Sequence, residues 1–363
     1  MSAVDVALVA IGLVILVGGG ELLVRGASDL AARVGLSSLV IGLTVVAFST
    51  SSPEMAVTVG AVLEGQPDLA VGNVVGSNIV NVLLILGASA LLLPLTVRAQ
   101  LIRLDVPVMV GVSMCLLLLS LDGRLSLADG FFLVTVIVVY TAVSVVVGRR
   151  SAPHVRKATG GGEKERPVWL LLLAVLGGVA LLVVGAQLLV EGAVGIAEGF
   201  GVSGLVVGLT VVAVGTSLPE LATSLIAVRR GERDLAVGNI VGSNIFNIAA
   251  VLGVAALVAD DGVPVADAAV ALDIPLMIAA AVALLPVAFT GMAIARWEGA
   301  LFVGLYAAFT AYVVLAATEH DALGGFTAVM IWFTLPLVAI TLVVLGAYEI
   351  GRRRAAREPL SPS

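Results

Sequence analysis

The chain is poor in charge, cysteine and histidine, and each shortage excludes a class of protein. Only 12% of its 363 residues are charged and 60% are hydrophobic, whereas soluble domains average about 25% charged residues. The single cysteine, Cys115, has no partner for an internal disulfide or a thiolate metal site, so we expect a packed apolar residue. The two histidines, His154 and His320, fall in polar connections. No histidine is therefore available for catalysis or metal binding within the apolar segments.

Long apolar runs are what the chain has instead. Each is about 20 residues long, which is the length needed to cross roughly 30 Å of hydrocarbon. Eleven runs are predicted to span the bilayer, at 4–24, 37–62, 69–93, 104–121, 127–148, 168–190, 203–228, 235–259, 270–291, 297–317 and 325–348. The first run lacks the basic start and cleavage site of a signal peptide, so we expect it to be retained. These features predict an all-α polytopic membrane protein that has the lipid bilayer, and no nucleic acid, as its partner.

The basic residues sort to one side of this predicted topology. With the N-terminus placed outside, every lysine and arginine except Arg124 falls on the inner side, while acids such as Glu64 and Asp260 fall in outer loops. Cytoplasmic loops carry the excess of basic residues in membrane proteins. The pattern predicts a multi-pass protein of the inner or plasma membrane with an outer N-terminus and a cytoplasmic C-terminus.

One segment occurs twice, at 42–82 and at 208–248. The copies align without a gap at an offset of 166 residues, with 26 identities in 41 positions, which indicates an internal duplication. Five predicted spans separate them, so the copies face opposite ways. We predict two inverted five-helix repeats forming ten core transmembrane helices, plus an eleventh C-terminal helix. The predicted units are a first half (1–148), a cytoplasmic linker (149–167), a second half (168–317) and a C-terminal helix with a basic tail (318–363).

Each copy carries a glutamate in the middle of an apolar span, Glu54 or Glu220. Burial of an acid at the bilayer centre costs about 2.5–3.5 kcal/mol on insertion scales. No lysine or arginine lies at matching depth, so protons or bound cations must neutralise the pair. Pro53 and Pro219 precede the glutamates, and a proline within a helix frees the carbonyl four residues earlier.

Polar oxygens surround both glutamates in the sequence. Hydroxyls precede them, and the following span carries serine and asparagine at every fourth position, on one helix face. For Asn73, Asn78, Asn239 and Asn244, hydrogen bonds between helices and a place in the cavity both remain open. The glycines at 72, 76, 238 and 242 have the spacing that allows close helix approach. An oxygen-only set of ligands is typical of hard cations such as calcium.

These motifs resemble the α-repeats of the cation/calcium antiporter superfamily, and the prokaryotic sodium/calcium exchangers in particular. The resemblance is carried by STSSPE at 49–54, GTSLPE at 215–220 and the two G-N-[VI]-V-G-S-N runs. It implies a secondary active antiporter, with no cofactor, that exchanges sodium for calcium by alternating access as spans one and six slide past the rest. It also implies that the two cations are bound by Glu54, Glu220, Thr50, Ser51, Ser77, Asn81, Thr216, Ser217, Ser243, Asn247 and the carbonyls of Ala47 and Ala213.

Three departures from the family pattern narrow this expectation: the first copy has Ser49 where the family usually has glycine, the second copy has Asn247, and the eleventh span lies outside the usual ten. Asn247 stands where some relatives, including potassium-dependent exchangers, carry aspartate, which argues against potassium co-transport. The linker at 149–167 has 19 residues, which is too short for the calcium-sensing domain that some relatives carry there.

Three other functions are alternatives to sodium/calcium exchange. A calcium/proton exchanger, or another cation/proton exchanger, on the same scaffold stays open, because the same oxygens serve both. An intramembrane enzyme is disfavoured, since the chain lacks H-E-x-x-H and G-x-S-x-G motifs. A channel is disfavoured because inverted repeats with acids at the midplane are typical of alternating access.

Overall fold

The computed structural model describes residues 2–150, 167–200, 210 and 213–355, and these residues are almost entirely helical. The linker predicted at 149–167, with His154, lies mostly outside the described residues. The helices are α1 (Ala3–Val34), α2 (Ser38–Thr50), α3 (Ser52–Leu63), α4 (Pro67–Leu92), α5 (Leu101–Leu119), α6 (Leu127–Arg150), α7 (Val168–Gly199), α8 (Leu218–Arg229), α9 (Arg233–Val258), α10 (Ala269–Met292), α11 (Arg296–Ala317) and α12 (322–355).

The length and composition of these helices confirm a polytopic membrane protein. Nine helices of the described ranges are long and apolar enough to cross a bilayer, and α2 with α3 forms a tenth candidate that is bent by 42°. The predicted span at 203–228 lies partly outside the described residues, which there include only position 210, a helical turn at Ala213–Gly215 and α8. The count of eleven spans therefore stays a prediction.

Two helices run well beyond their predicted ends. α1 and α7 contain 32 residues each, because the polar residues after their apolar runs are still compatible with a helix. α1 ends where Gly35 adopts a left-handed conformation (φ 71°) and its N–H bonds the Ala31 carbonyl. Glycine is the residue that takes this conformation without a steric cost.

Glycines join α1 to α7 along their whole contact. They recur at every seventh position in both helices. A Cβ atom on Gly12 would lie 2.7 Å from the Leu189 nitrogen, and one on Gly178 would lie 2.6 Å from the Leu23 nitrogen. Only glycine permits backbones to approach this closely. The seven-residue spacing was visible in the sequence, but the pairing of α1 with α7 was not.

Two short strand pairs connect the two halves of the chain at opposite ends of α5. β1 (Leu95–Thr96) pairs antiparallel with β4 (Ala293–Ile294), and β2 (Arg124–Leu125) pairs antiparallel with β3 (Val263–Pro264). The first pair puts the start of α5 beside the end of α10. The second puts the end of α5 beside the start of α10.

The core is built around α4 and α9. In the most apolar 18-residue stretch of each helix, 78% of α4 and 89% of α9 is buried inside the protein, compared with 6% of α11 and of α12. Helices that are polar on one face and buried on all sides must satisfy their polar groups within the protein. α4 and α9, which belong to the duplicated segments, therefore occupy the centre of the described structure, and the C-terminal helix lies at its edge.

Candidate cation site

Both glutamate-bearing segments break at a serine. α2 ends at Thr50 and α3 begins at Ser52, and the intervening Ser51 has φ −81° and ψ 2°. Ser217, which precedes α8, has nearly the same conformation, with φ −89° and ψ 5°. Each proline lies in the first turn of the following helix, where its missing N–H costs nothing. The expectation of a proline in a helix interior was therefore wrong, because the chain ends one helix and begins another.

The two glutamates occupy equivalent places after these breaks. Glu54 lies in the first turn of α3 and Glu220 in the first turn of α8, and both are fully buried. The positive end of each helix dipole favours a negative charge there. Glu54 Oε1 accepts from the Ser217 hydroxyl at 3.4 Å, and Glu220 Oε1 accepts from the Ser243 hydroxyl at 3.4 Å.

Four asparagines join α4 to α9 and orient two oxygens. The Asn81 amide donates to Asn244 Oδ1 at 3.4 Å, and the Asn247 amide donates to Asn78 Oδ1 at 3.1 Å. The Asn78 amide in turn donates to the Asn244 carbonyl at 3.2 Å. Because the nitrogens of Asn81 and Asn247 are engaged, their side-chain oxygens face away from Asn78 and Asn244.

Asn239 holds Thr50, one of the predicted hydroxyl ligands of the first copy. It accepts from the Thr50 hydroxyl at 3.1 Å and donates to Ser224 at 3.3 Å. The Thr50 hydroxyl also lies 3.4 Å from the hydroxyl of Ser243.

Asn73 does the same for the second copy. It accepts from the Thr216 hydroxyl at 3.4 Å and donates to Thr58 at 3.0 Å. The Thr216 hydroxyl lies 3.5 Å from that of Ser77. Two roles were open for Asn73, Asn78, Asn239 and Asn244, and hydrogen bonding between helices is the one that matches the structure. These residues hold the neighbouring hydroxyls and amides in place.

The remaining predicted residues lie in the same region. Ala47 and Ser51 are buried, and the Ala47 carbonyl accepts the Ser51 N–H at 3.0 Å. The backbone of Ala213 belongs to the helical turn before Ser217, and its side chain lies outside the described residues. We call this set of residues around Glu54 and Glu220 the central site.

Close glycine packing brings α9 against α2 beside the central site. A Cβ atom on Gly238 would lie 2.6 Å from the Leu39 carbonyl, and one on Gly242 would lie 2.7 Å from Ala47 Cβ. No described residue lies within 4 Å of a Cβ on Gly72 or Gly76. Their equivalent partners at 205–213 fall mostly outside the described residues.

Unsatisfied oxygens define what the central site can bind. Within the described residues, five buried side-chain oxygens here have no hydrogen-bond partner: Glu54 Oε2, Glu220 Oε2, Asn81 Oδ1, Asn247 Oδ1 and Ser51 Oγ. The ion pairs of the described chain all involve other acids. Two carboxylates and two amide oxygens, with hydroxyls beside them, suit a hard cation. The described residues hold no cluster of three or more histidines, cysteines or acids, so neutral oxygens must complete the coordination.

Sequence reasoning missed two sulfur contacts. Met109 Sδ on α5 accepts from the Asn244 amide at 3.5 Å, and Met277 Sδ on α10 accepts from the Asn78 amide at 3.5 Å. Both methionines lie in apolar runs with no local signal. Only the packing of α5 and α10 against the core identifies them.

A bundle of apolar helices that surrounds a buried, oxygen-lined site between two duplicated segments has the layout of a membrane cation transporter. Comparison with known proteins identifies the kind of transporter. The model of the family described as "Sodium/calcium exchanger protein" matches residues 4–146 and 170–315. The chain belongs to the sodium/calcium exchanger family.

Individual relatives agree with this assignment. The chain is 33% identical to the sodium/calcium exchanger MaX1 of Methanosarcina acetivorans over 85% of this chain and 98% of that protein. It is 43% identical to the putative antiporter CaxA of Alkalimonas amylolytica over 76% of this chain and 87% of that protein. A solved structure of the sodium-calcium exchanger NCX_Mj superposes with a TM-score of 0.72 at 32% identity, covering 84% of this chain and 97% of that one. These relatives are named as exchangers or as a putative antiporter, and the family resemblance seen in the motifs is confirmed.

Proposed function

We propose that the protein is a secondary active antiporter that exchanges sodium for calcium by alternating access, with Glu54 and Glu220 as the shared cation ligands. The observation that carries the proposal is the set of five buried oxygens of the central site that have no hydrogen-bond partner among the described residues. Two buried carboxylates without a cationic side chain need cargo of positive charge. A site that must always hold either one kind of cation or the other is the electrostatic basis of exchange.

The symmetry of the hydrogen bonds supports inverted repeats. The contact from Asn81 to Asn244 is matched, at the offset of 166 residues, by the contact from Asn247 to Asn78. The contact from Asn73 to Thr58 is matched by that from Asn239 to Ser224. The strand pairs follow the same symmetry: each has one strand from each half, and exchanging the halves relates the β1–β4 pair to the β2–β3 pair. Such symmetry is expected of two inverted halves, 1–148 and 168–317, that meet at the membrane midplane.

The proposed topology places ten core helices in these two halves and the C-terminal helix, within 318–363, outside the repeat. The N-terminus is outside, and the linker at 149–167 and the C-terminus are cytoplasmic, in the inner or plasma membrane. The sorting of basic residues supports this orientation. In it, the Arg98–Asp234 and Arg230–Glu21 ion pairs both lie on the cytoplasmic side.

Sodium is the proposed counter-ion because of the hydroxyls. The hydroxyls of Thr50 and Ser243, and those of Ser77 and Thr216, approach each other within 3.5 Å. A sodium ion needs several oxygens around it, whereas a proton needs only one carboxyl. A proton-coupled exchanger would titrate Glu54 and Glu220 instead of filling these positions.

The decisive experiment is calcium uptake by proteoliposomes. Vesicles loaded with sodium and diluted into sodium-free buffer should accumulate radioactive calcium, and Glu54→Gln or Glu220→Gln should abolish the uptake. Asp273→Asn is the matched control, since Asp273 is a half-buried acid of α10 outside the central site, and it should retain uptake.

Three outcomes separate the alternatives. Uptake that ignores sodium but follows an imposed pH gradient would replace sodium by protons as the counter-ion. Uptake that needs no gradient and does not saturate would indicate a channel. Full uptake in both glutamine variants would remove the central site from the mechanism.

A further inference from the structure

A second buried polar cluster lies between α5 and α6 and consists of Gln100, Asp105, Tyr140 and Ser144. Asp105 is fully buried in the first turn of α5. The Tyr140 hydroxyl on α6 donates to Asp105 Oδ1 at 3.1 Å. The Gln100 side chain lies beside the same carboxyl, and Ser144 lies beside Tyr140. None of these four residues belongs to the central site.

The carboxyl of this cluster is incompletely satisfied. Within the part of the chain that the structure describes, Asp105 Oδ2, Gln100 Nε2 and Ser144 Oγ are buried without a hydrogen-bond partner. No ion pair of the described residues includes Asp105. A carboxyl in such surroundings is costly when charged and marks a functional site by default.

The chemistry around Asp105 suits a proton better than a metal ion. Tyr140 presents a hydroxyl hydrogen to the carboxyl, and Gln100 brings an amide nitrogen beside it. A metal ion needs several oxygens at this position. A proton needs one carboxyl oxygen, and Asp105 Oδ2 is that oxygen.

Of the charged groups near this end of α5, Arg103 of α5 and Arg149 of α6 are exposed, and those of α9 have other partners. α6 presents Tyr140. α9 begins with Arg233, which donates to the Pro94 carbonyl, and Asp234, which pairs with Arg98. The end of α10 that β1 and β4 bring here, 284–292, has no charged side chain, and Asp273 lies at the opposite end of α10.

One helical turn connects this cluster to the central site. Met109 is four residues after Asp105 and so lies on the same face of α5. Its sulfur accepts from the Asn244 amide, and Asn244 Oδ1 accepts from Asn81. A displacement of the first turns of α5 therefore reaches the amide that orients Asn81.

We propose that the Asp105 cluster is a proton-binding site coupled to the central site through Met109 and Asn244. Asp105 Oδ2 takes up one proton from the aqueous phase at the β1–β4 end of the bundle and returns it there, and Tyr140 keeps its own. Protonation removes the negative charge that holds the Tyr140 hydroxyl, so the contact between α5 and α6 weakens. The coupling to cation binding rests on the proposed function, whereas the proton site itself does not.

Infrared spectroscopy tests the proton site directly. Purified protein in lipid nanodiscs is titrated between about pH 5 and about pH 9, a range that brackets the shifts documented for buried carboxyls. The protonated-carboxyl band should lose a component in Asp105→Asn and keep it in Asp273→Asn. Asp273 ends the turn of α10 that matches the turn ended by Asp105 in α5.

Tyr140→Phe keeps the test decisive if Asp105→Asn does not fold. Loss of the hydroxyl donor should move the midpoint of the Asp105 component to higher pH, because the donor stabilises the charged form. A titration that is identical in wild type, Asp105→Asn and Tyr140→Phe would overturn the proposal.

Calcium binding at two pH values tests the coupling. All variants compared here retain Glu54 and Glu220, so any pH dependence that arises from these two residues is common to them. The calcium affinity of the wild type should change with pH about fivefold more than that of Asp105→Asn, which is the lower end of typical couplings between sites. Met109→Leu, which keeps the volume but removes the acceptor, should reduce the pH dependence as well.

The two experiments fail separately. Equal pH dependence in all three proteins would overturn the coupling. Absence of calcium binding in every variant, wild type included, would contradict the proposed function, and the infrared titration would still decide whether Asp105 binds a proton.

Discussion

The hydroxyl of Ser217 donates to Glu54 Oε1 at 3.4 Å, across 163 residues of sequence. The serine belongs to the second duplicated segment and the glutamate to the first. The two copies therefore complete one another's polar groups and do not form two separate sites. A change in either copy should alter the binding of the same cation.

Calcium should stabilise the folded protein. A ligand that binds only the native state at 100 times its dissociation constant contributes about 2.7 kcal/mol. Thermal unfolding in detergent should shift upward with calcium in the wild type and in Asp273→Asn. Glu54→Gln should lose the shift, and an equal shift in that variant would contradict direct coordination by Glu54.

Removal of an orienting asparagine should weaken cation binding. Asn78→Ala deletes the acceptor of the Asn247 amide and the donor to the Asn244 carbonyl. Two such hydrogen bonds contribute about 1–3 kcal/mol together, so calcium affinity should fall about 5- to 150-fold in a direct binding assay. Ser113→Ala is a suitable control, because among the described residues its hydroxyl bonds the carbonyl of Met109 on the same helix and no other group. Unchanged affinity in Asn78→Ala would show that Asn247 keeps its orientation without Asn78.

Introduction of a third acid should make the protein depend on its cation. Asn247→Asp replaces an amide donor with an oxygen that faces Asn78 Oδ1 and adds a carboxyl to a fully buried site. Burial of an extra charge costs energy unless a cation compensates for it. Without calcium, the variant should unfold at a lower temperature than the wild type. Added calcium should remove most of this difference in unfolding temperature. Equal thermal stability in the absence of calcium would count against the orientation of Asn247.

Close packing of α9 on α2 should not tolerate a methyl group. The Cβ of Gly238→Ala would lie 2.6 Å from the Leu39 carbonyl, and overpacking of a core typically costs about 1–3 kcal/mol. The matched control is Gly60→Ala in α3, where no described residue lies within 4 Å of the new atom. Thermal unfolding should show a loss of stability for the first variant and none for the second. Equal stability of the two would indicate that α2 and α9 can separate at no cost.

Much of the central site was predictable because the duplication made it visible. Glu54 and Glu220 stand out as acids in apolar runs, and their recurrence at a constant offset marks the neighbouring hydroxyls and amides. Asn73, Asn78, Asn239 and Asn244 could not be assigned in the same way, since an amide that coordinates a cation and one that joins two helices look alike in a sequence. The hydrogen bonds distinguish Asn78 and Asn244, whose side-chain oxygens accept amide hydrogens, from Asn81 and Asn247, whose side-chain oxygens have no donor among the described residues.

The limits of the prediction lie in the helix ends and in pairing. The helix breaks before Pro53 and Pro219 could not be predicted from the sequence, because proline occurs both at kinks within a helix and in the first turn of a new helix. The packing of α5 on α6, which buries Asp105 against Tyr140, joins residues that are 35 positions apart with no motif between them.

The sequence by itself determined the membrane class and the duplication and predicted oxygen as the type of cation ligand, because hydropathy, identity between copies and oxygen chemistry are local properties. The tertiary structure decided which side chains meet. It set the break at Ser51, the exchange of partners between Asn81 and Asn244, and the burial of Asp105. These depend on how helices distant in the chain pack together, and periodicity within a single helix does not specify its neighbour.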